Sequence, residues 1–147
     1  MDYEELENLT KVMAKKIAGI DDIKIKFSNR IKKCHALCYW HDDPKAIYFN
    51  KQFVDLNCDN IVVLNELVVH ECIHLLPDCV THNKKFINQC KKYGISLYGY
   101  SVPYISVKPL FATYCNNCLQ YRSFYSKPHR MVCKQCGNKL KIIDHRK

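Results

Sequence analysis

The sequence predicts an α+β fold in two parts: a domain of helices packed on a short β-sheet or hairpin over residues 1–104, and a small four-cysteine module over residues 105–147. Three observations predict it. Apolar residues recur at helical spacing in three segments, two short apolar segments flank a turn, and two C-x-x-C pairs lie near the C-terminus. A chain of 147 residues suits one main domain with a small appended module.

The first elements are predicted from periodicity and turn residues. Residues 2–18 have apolar positions three and four apart, with Asp2 as a cap and a glutamate three positions later, and so predict a helix. Residues 23–28 alternate apolar and basic side chains and predict a strand. Residues 34–40 and 46–50 flank a turn rich in Asp and Pro and predict a hairpin.

Two more helices follow the hairpin. Residues 61–76, IVVLNELVVHECIHLL, come after potential cap residues and end before Pro77, which predicts a largely buried helix. Residues 82–94 predict a third helix that stops at a glycine. The Tyr- and Pro-rich residues 98–110 are interpreted as the linker into the C-terminal module.

Composition excludes several classes of protein. Hydrophobic residues make up 48% of the chain, which argues against long disordered segments. The sequence has no apolar run of the roughly 18 residues that a membrane span needs, and residues 1–16 lack the features of a secretory signal. We therefore expect an intracellular protein, cytoplasmic or nuclear, whose ten cysteines bind metal or fill the core and do not form disulfides.

The second predicted helix carries the pattern H-E-x-x-H. His70 and His74 are four residues apart, so their imidazoles rise from one face and can share a zinc ion. Glu71 is displaced around the helix and can take the proton of a water molecule activated by the metal. Burying these polar side chains in an apolar helix costs several kcal/mol of folding free energy unless they are hydrogen-bonded or bind a metal, and a zinc ion would be such a partner. The alternative is that they are hydrogen-bonded core residues.

A catalytic zinc site needs a third protein ligand. No glutamate follows Glu71, and positions 77 and 80 lack the residues of the longer pattern H-E-x-x-H-x-x-G-x-x-H. The remaining candidates are Asp78, His82, His129, Asp144 and His145. His82, placed at the start of the third predicted helix, is favoured because a seven-residue turn separates it from His74 and lets the chain reverse. Asp78 remains the alternative.

The C-terminal module has the spacing of a zinc ribbon. Cys115 and Cys118 form one C-x-x-C pair, and Cys133 and Cys136 form the other after a 14-residue interval. Two such knuckles can close a tetrahedral site of four thiolates, with backbone N–H groups directed at sulfur. A segment this short has too little core to fold alone, so we expect zinc binding and folding to be coupled.

Nearly all of the excess positive charge lies in this module. Residues 105–147 carry nine Lys and Arg against one acid, hence +8 of the net charge of +9. The interval between the knuckles adds Tyr121, Arg122, Phe124, Tyr125, Lys127, His129 and Arg130. Basic groups can contact phosphate while aromatic rings stack on unpaired bases, which predicts binding to nucleic acid, single-stranded or distorted. Aromatic rings packed on the ribbon and a merely solvated basic surface are the alternatives.

These motifs together resemble one protein family. With HExxH, the later H-N-K-K-F, the hairpin segments ALCYW and IYFN, and the four-cysteine ribbon, the chain resembles the SprT-like (Spartan-type) zinc metalloproteases. The resemblance implies a zincin-like domain with one catalytic and one structural zinc. The implied zinc ligands are His70, His74 and His82 in the domain and Cys115, Cys118, Cys133 and Cys136 in the ribbon, with Glu71 as general base. It also implies DNA-dependent cleavage of proteins crosslinked to DNA, as in DNA–protein crosslink repair.

The leading hypothesis is therefore a zinc endopeptidase that acts on proteins bound or crosslinked to DNA. The alternatives are a non-catalytic nucleic-acid-binding adaptor with a degenerate metalloprotease domain, and a peptidase of soluble substrates whose tail recruits a protein. An edge strand of the hairpin could pair with the substrate backbone. Oxyanion stabilisation has no assigned residue: Tyr98, Tyr100 and Tyr104 follow the third helix, and each is either structural or within reach of the site.

Overall fold

The computed structural model describes residues 1–125, 127–129 and 131–146 and confirms the predicted α+β class. It divides into two compact units, Met1–Ser106 and Val107–Lys147, whereas the sequence places the boundary after residue 104. Arg130, one of the predicted DNA-contacting residues, lies outside the described residues. None of the helices in the described ranges is long and apolar enough to cross a membrane.

The first unit contains four helices and three strands. In chain order they are α1 (Tyr3–Ala18), β1 (Lys24–Ser28), β2 (Ala36–Tyr39), β3 (Ala46–Asn50), α2 (Lys51–Leu56), α3 (Ile61–Ile73) and α4 (Lys84–Tyr93). The second unit contains β4 (Phe111–Cys115), β5 (Gln120–Phe124) and β6 (Lys141–Asp144).

Helix α1 begins and ends as its sequence predicts. The Asp2 carboxylate accepts a hydrogen bond from the Glu5 N–H while the Glu5 carboxylate accepts one from the Asp2 N–H, which confirms the predicted cap. Gly19 ends the helix at φ 68°, a left-handed conformation that glycine adopts without strain. The buried face of α1 packs against α3, where the Cys72 thiol lies 3.8 Å from the Thr10 carbonyl.

The three strands form one sheet in the order β1-β3-β2. Strands β2 and β3 are antiparallel, with Ala36 opposite Phe49, which confirms the predicted hairpin. Strand β1 adds to the other side of β3 in parallel, with Lys24 opposite Ala46. The central strand β3 is almost completely buried, and β2 is left at an edge of the sheet.

Helix α2 is absent from the sequence prediction and begins directly where β3 ends. The buried Asn50 side chain makes this junction, since its oxygen accepts a hydrogen bond from the Phe53 N–H at 3.2 Å. The same amide donates to the Cys34 carbonyl at 3.0 Å and so holds the start of the hairpin. Asn50 therefore joins the sheet, α2 and the segment before β2.

Two predicted helix boundaries are wrong by a few residues. Helix α3 ends at Ile73, with His74 as its cap, and does not continue to residue 76. The reason is Pro77, which has no N–H to donate to the Ile73 carbonyl and disfavours helical geometry in the residue before it. Helix α4 begins at Lys84 with Asn83 as its cap, so His82 precedes the helix.

The second unit is a three-stranded antiparallel sheet in the order β5-β4-β6. The central strand β4 contributes Phe111, Ala112, Thr113 and Cys115 to the buried interior. Cys115 ends β4, and an isolated bridge between Val132 and Lys139 brackets the second cysteine pair. This arrangement, with its cluster of four cysteines, agrees with the predicted zinc ribbon.

Candidate active site and metal centres

The three predicted imidazoles of the first unit converge on one point. His70 lies in the last turn of α3, His74 caps that helix, and His82 comes just before the cap of α4. The His82 Nε2 atom lies 3.2 Å from the Nε2 atom of His70 and 3.2 Å from that of His74. The three candidate ligand atoms all lie within 4.8 Å of one another.

This geometry fits a tetrahedral zinc ion. Zn–N bonds of 2.0–2.1 Å place two ligand nitrogens about 3.3–3.4 Å apart along a tetrahedron edge, close to the observed distances. The Nδ1 atom of His74 lies 2.8 Å from the Cys79 carbonyl, so its N–H donates there and leaves the Nε2 lone pair free. Burial lowers the pKa of His74 and lowers that of His70 to about 4, which favours the neutral, metal-binding form.

Phe86 lies against all three histidines. Its ring centroid is 4.9 Å from that of His70, 4.4 Å from that of His74 and 4.8 Å from that of His82, and its side chain is fully buried. The aromatic ring thus limits the rotation of each imidazole. In the sequence, Phe86 is the aromatic residue of the segment H-N-K-K-F, four positions after His82, and nothing there indicates its contact with the other two histidines.

The turn between His74 and His82 is closed at its base by Asn83. The Asn83 side chain accepts a hydrogen bond from the Phe86 N–H at 2.9 Å and donates to the Asp78 carbonyl at 2.8 Å. The Asp78 carboxylate instead pairs with Lys85 Nζ at 3.1 Å and is outside the histidine cluster. His129, Asp144 and His145 belong to neither cluster of candidate ligands in the described ranges.

Glu71 is a buried carboxylic acid beside the histidine cluster. Glu71 is only 6% exposed, and this burial raises the pKa of its carboxyl group to about 8. A divalent ion held by the neighbouring imidazoles would favour the carboxylate and so lower this pKa. Its helix position, one residue after His70, keeps it out of the ligand set. The arrangement suits a group that accepts a proton near neutral pH.

The histidines and Glu71 lie in a cleft of about 490 Å³. Its walls include Leu37 and Trp40, at and just after the edge strand β2, and the aromatic rings of Tyr100 and Tyr104. Leu37 and Trp40 are 41% and 42% exposed. A polypeptide laid along β2 would therefore pass directly beside the histidine cluster.

Comparison with known protein families matches residues 4–104 to the SprT-like family. The chain belongs to the SprT-like family. The match covers more than two thirds of the chain and contains every residue of the histidine cluster. No match was found among curated proteins or among solved structures. A SprT-like domain is metalloprotease-like and metal-dependent, which agrees with the geometry of the cleft.

Metal content distinguishes the two candidates for the third ligand of the SprT-like domain. His82→Ala is expected to bind no zinc at the histidine cluster, because only two imidazoles would remain. Asp78→Ala, the matched control in the same turn, should retain the zinc content of the wild type, since its carboxylate pairs with Lys85. Metal analysis of the purified proteins measures both. Loss of zinc from the Asp78 variant alone would assign the ligand to the carboxylate.

The segment predicted as a linker instead packs on the SprT-like domain in its first half. The Ser101 N–H donates to Glu66 at 2.9 Å, and the Ser101 hydroxyl also donates to that carboxylate. Further along, Asn60 donates to the Pro103 carbonyl at 2.9 Å, and Asn57 exchanges two hydrogen bonds with the Ile105 backbone. These contacts hold Tyr100 and Tyr104 at the cleft, while Tyr98 is 86% exposed and outside it.

The four ribbon cysteines form the second cluster. The sulfurs of Cys115 and Cys136 are 3.6 Å apart and those of Cys118 and Cys133 are 3.9 Å apart. Disulfide sulfurs would be separated by about 2.05 Å, whereas thiolates around one zinc ion are separated by about 3.8 Å. The Asn138 backbone N–H lowers the pKa of Cys136 to about 6, which favours its thiolate, while the hydrogen bond shared with Cys136 raises the pKa of Cys118 to about 12. Backbone N–H groups lower the pKa of Cys133 in the same way.

Proposed function

We propose that the SprT-like domain is a zinc-dependent endopeptidase. His70, His74 and His82 would hold the catalytic ion, and Glu71 would act as general base. The observation that carries this proposal is the convergence of three Nε2 atoms beside a buried carboxyl group in an open cleft. A second, structural zinc would be held by the ribbon cysteines.

The chain's own groups account for the proton transfers. When bound, zinc lowers the pKa of water towards neutrality and polarises a carbonyl group. Glu71 accepts a proton from water as that water attacks the peptide carbonyl, and then delivers the proton to the leaving amine. The hydrogen bond from His74 to the Cys79 carbonyl, at 2.8 Å, keeps that imidazole in the tautomer that the ion requires.

The edge strand β2 offers a place for the substrate backbone. One side of β2 pairs with β3, and Leu37 and Trp40 border the cleft. An extended peptide can add to such an edge through main-chain hydrogen bonds, which depend little on side-chain identity. We therefore propose cleavage that tolerates many sequences.

We further propose that the ribbon binds DNA and that the substrates are proteins bound or crosslinked to it. The ribbon carries the +8 charge excess. Tyr121 is 55% exposed, and Arg122, Lys127 and His129 are also exposed, which supports phosphate contact and base stacking. Phe124 and Tyr125 are half-buried, so stacking is assigned to Tyr121. Binding to one DNA molecule raises the effective concentration of the peptidase near its substrate.

The test of this function is cleavage of a protein crosslinked to a single-stranded oligonucleotide. The wild type should cleave the conjugate in the presence of zinc, should cleave the same protein more slowly when it carries no DNA, and should stop when the metal is chelated. Equal rates on the conjugate and the free protein would favour a peptidase of soluble substrates.

Affinity for a single-stranded oligonucleotide is expected to fall steeply with salt. Neutralising about four phosphates gives a slope near −2.8 in log K against log salt, or about a 50-fold loss over a fourfold rise in salt. Arg122→Ala should weaken binding and reduce that slope by about 0.7. Lys11→Ala, an exposed cation on α1, is the matched control and should change neither. A slope near zero would contradict phosphate contact.

A further inference from the structure

Tyr100 holds its hydroxyl group in the cleft against a histidine. The Tyr100 hydroxyl lies 2.7 Å from His35 Nδ1, and both residues line the cavity that contains Glu71 and the histidine cluster. Tyr100 is half-buried, in contrast to the exposed Tyr98 two residues earlier. The hydrogen bond and the partial burial therefore hold the Tyr100 hydroxyl in one position, whereas the hydroxyl of an exposed tyrosine can move freely.

His35 is itself rigidly placed. Its ring stacks on the fully buried Phe53 ring with centroids 3.8 Å apart and planes 9° apart. Its carbonyl accepts a hydrogen bond from the Asn50 N–H at 2.8 Å, and the Asn50 side chain caps the helix that carries Phe53. Burial lowers the pKa of His35, which favours the neutral form of the ring.

The backbone on the other side of Tyr100 is fixed as well. The next residue, Ser101, is hydrogen-bonded to Glu66, which lies one helical turn before His70 on α3. The Tyr104 ring packs edge-on against the Tyr100 ring at 4.9 Å. The helix that carries two of the imidazoles thus also positions the segment that carries the tyrosine.

We propose that Tyr100 is a catalytic residue that donates a hydrogen bond to the oxygen of the scissile peptide carbonyl as that oxygen gains negative charge, and that His35 positions its hydroxyl. The inference rests on the proposed peptidase function. When His35 Nδ1 carries the ring proton, it donates to the Tyr100 oxygen and leaves the O–H free to donate to a substrate oxygen. Burial and the nearby Glu71 raise the pKa of this tyrosine, which favours the neutral hydroxyl.

A neutral donor suits this position. Lys and Arg are absent from the described residues that line the cleft, so a cationic group does not take this role. A preorganised donor directed at a developing oxyanion acts most strongly where bulk water is restricted. Of the two tyrosines that line the cleft, Tyr100 is the one whose hydroxyl is hydrogen-bonded to a fixed side chain.

The test is Tyr100→Phe, which removes only the hydroxyl and keeps the ring stack. Its kcat on the protein–oligonucleotide conjugate is expected to fall by about 10²–10³-fold, the usual effect of losing one oxyanion donor, with KM changed less than about threefold. Zinc content should match the wild type, and the unfolding temperature should fall by only the few degrees that one lost hydrogen bond costs. Tyr98→Phe, the same change at an exposed residue outside the cleft, should retain wild-type kcat.

A binding measurement separates a catalytic role from a structural one. A peptide phosphonamidate, whose tetrahedral oxygens resemble the transition state, should bind Tyr100→Phe more weakly than the wild type by a factor similar to the loss of kcat. A peptide hydroxamate, which lacks that tetrahedral centre, should lose little affinity. His35→Phe keeps an aromatic ring on Phe53, and combining it with Tyr100→Phe should cause no loss beyond that of Tyr100→Phe alone.

Two results would overturn the proposal, and they are distinguishable. If Tyr100→Phe keeps wild-type kcat and phosphonamidate affinity while the wild type is active, Tyr100 is not the donor and the peptidase function stands. If the wild type cleaves no protein conjugate in the presence of zinc, both the peptidase function and the role of Tyr100 fail.

Discussion

Glu71→Gln is expected to reduce kcat for cleavage of the protein–oligonucleotide conjugate by about 10²–10⁴-fold, the usual contribution of a general base. Glutamine has nearly the same shape but cannot accept a proton from water. The variant should keep its zinc, because Glu71 is not in the ligand cluster. Steady-state kinetics and metal analysis of the same preparation measure the two effects. A variant that cleaves as fast as the wild type would show that Glu71 is not the base.

The stability of Glu71→Gln shows whether a loss of kcat comes from unfolding or from the missing base. The pKa of Glu71 is raised from 4.5 to about 8, so the folded chain holds this proton where the unfolded chain has lost it. Its contribution to the free energy of unfolding is therefore present below about pH 4.5 and lost as the pH rises through about 8. In chelator at pH 8, Glu71→Gln should unfold at a temperature no lower than the wild type. Glu7→Gln, at a half-buried position of α1 where the carboxylate pairs with Lys11, should leave kcat unchanged and stability nearly so.

Cys133→Ser is expected to unfold the ribbon and lower affinity for single-stranded DNA by at least about tenfold, because small metal domains fold only with their metal. Cys133 is 5% exposed and belongs to the four-sulfur cluster. The protein should retain the zinc of the histidine cluster and lose that of the ribbon. Metal analysis, oligonucleotide binding and limited proteolysis of residues 107–147 measure these changes.

Cys58→Ser is the matched control for this change. Cys58 lies in the first unit, is half-buried and belongs to neither cluster of candidate metal ligands. Its zinc content and its affinity for the oligonucleotide should equal those of the wild type. If Cys133→Ser bound DNA as tightly as the control, the basic residues of a folded ribbon would not be the DNA-binding surface.

Local sequence patterns predict where the helices and strands of this fold lie better than they predict which strands pair with each other. Capping residues and apolar spacing predict α1, and the turn between two apolar segments predicts the hairpin. The parallel pairing of β1 with β3 was not predicted, because a strand's own pattern indicates its faces but not its neighbour. Helix α2 was missed because six residues are too few to display helical periodicity.

The same distinction applies to the site. His70 and His74 were paired from sequence because four-residue spacing on a helix places two side chains on one face. The close approach of His35 to Tyr100 joins residues 65 apart in sequence, and the path of an irregular segment brings them together. The path of an irregular segment leaves no periodic pattern in the sequence. The sequence therefore predicts three candidate tyrosines for oxyanion stabilisation and does not distinguish among them. The contact of Phe86 with all three imidazoles was not predicted either, because it depends on the path of the turn between His74 and His82.

The position of the histidines at helix ends has a thermodynamic consequence. His74 caps the end of α3 and His82 precedes the start of α4, and helix termini are the places where backbone structure opens first. An ion bound by both residues would link the C-terminal end of α3 to the N-terminal end of α4. It would stabilise the conformation in which the two ends are in contact, by mass action. Peptidase competence and resistance of the intervening turn to local opening would then rise and fall together with the free zinc concentration.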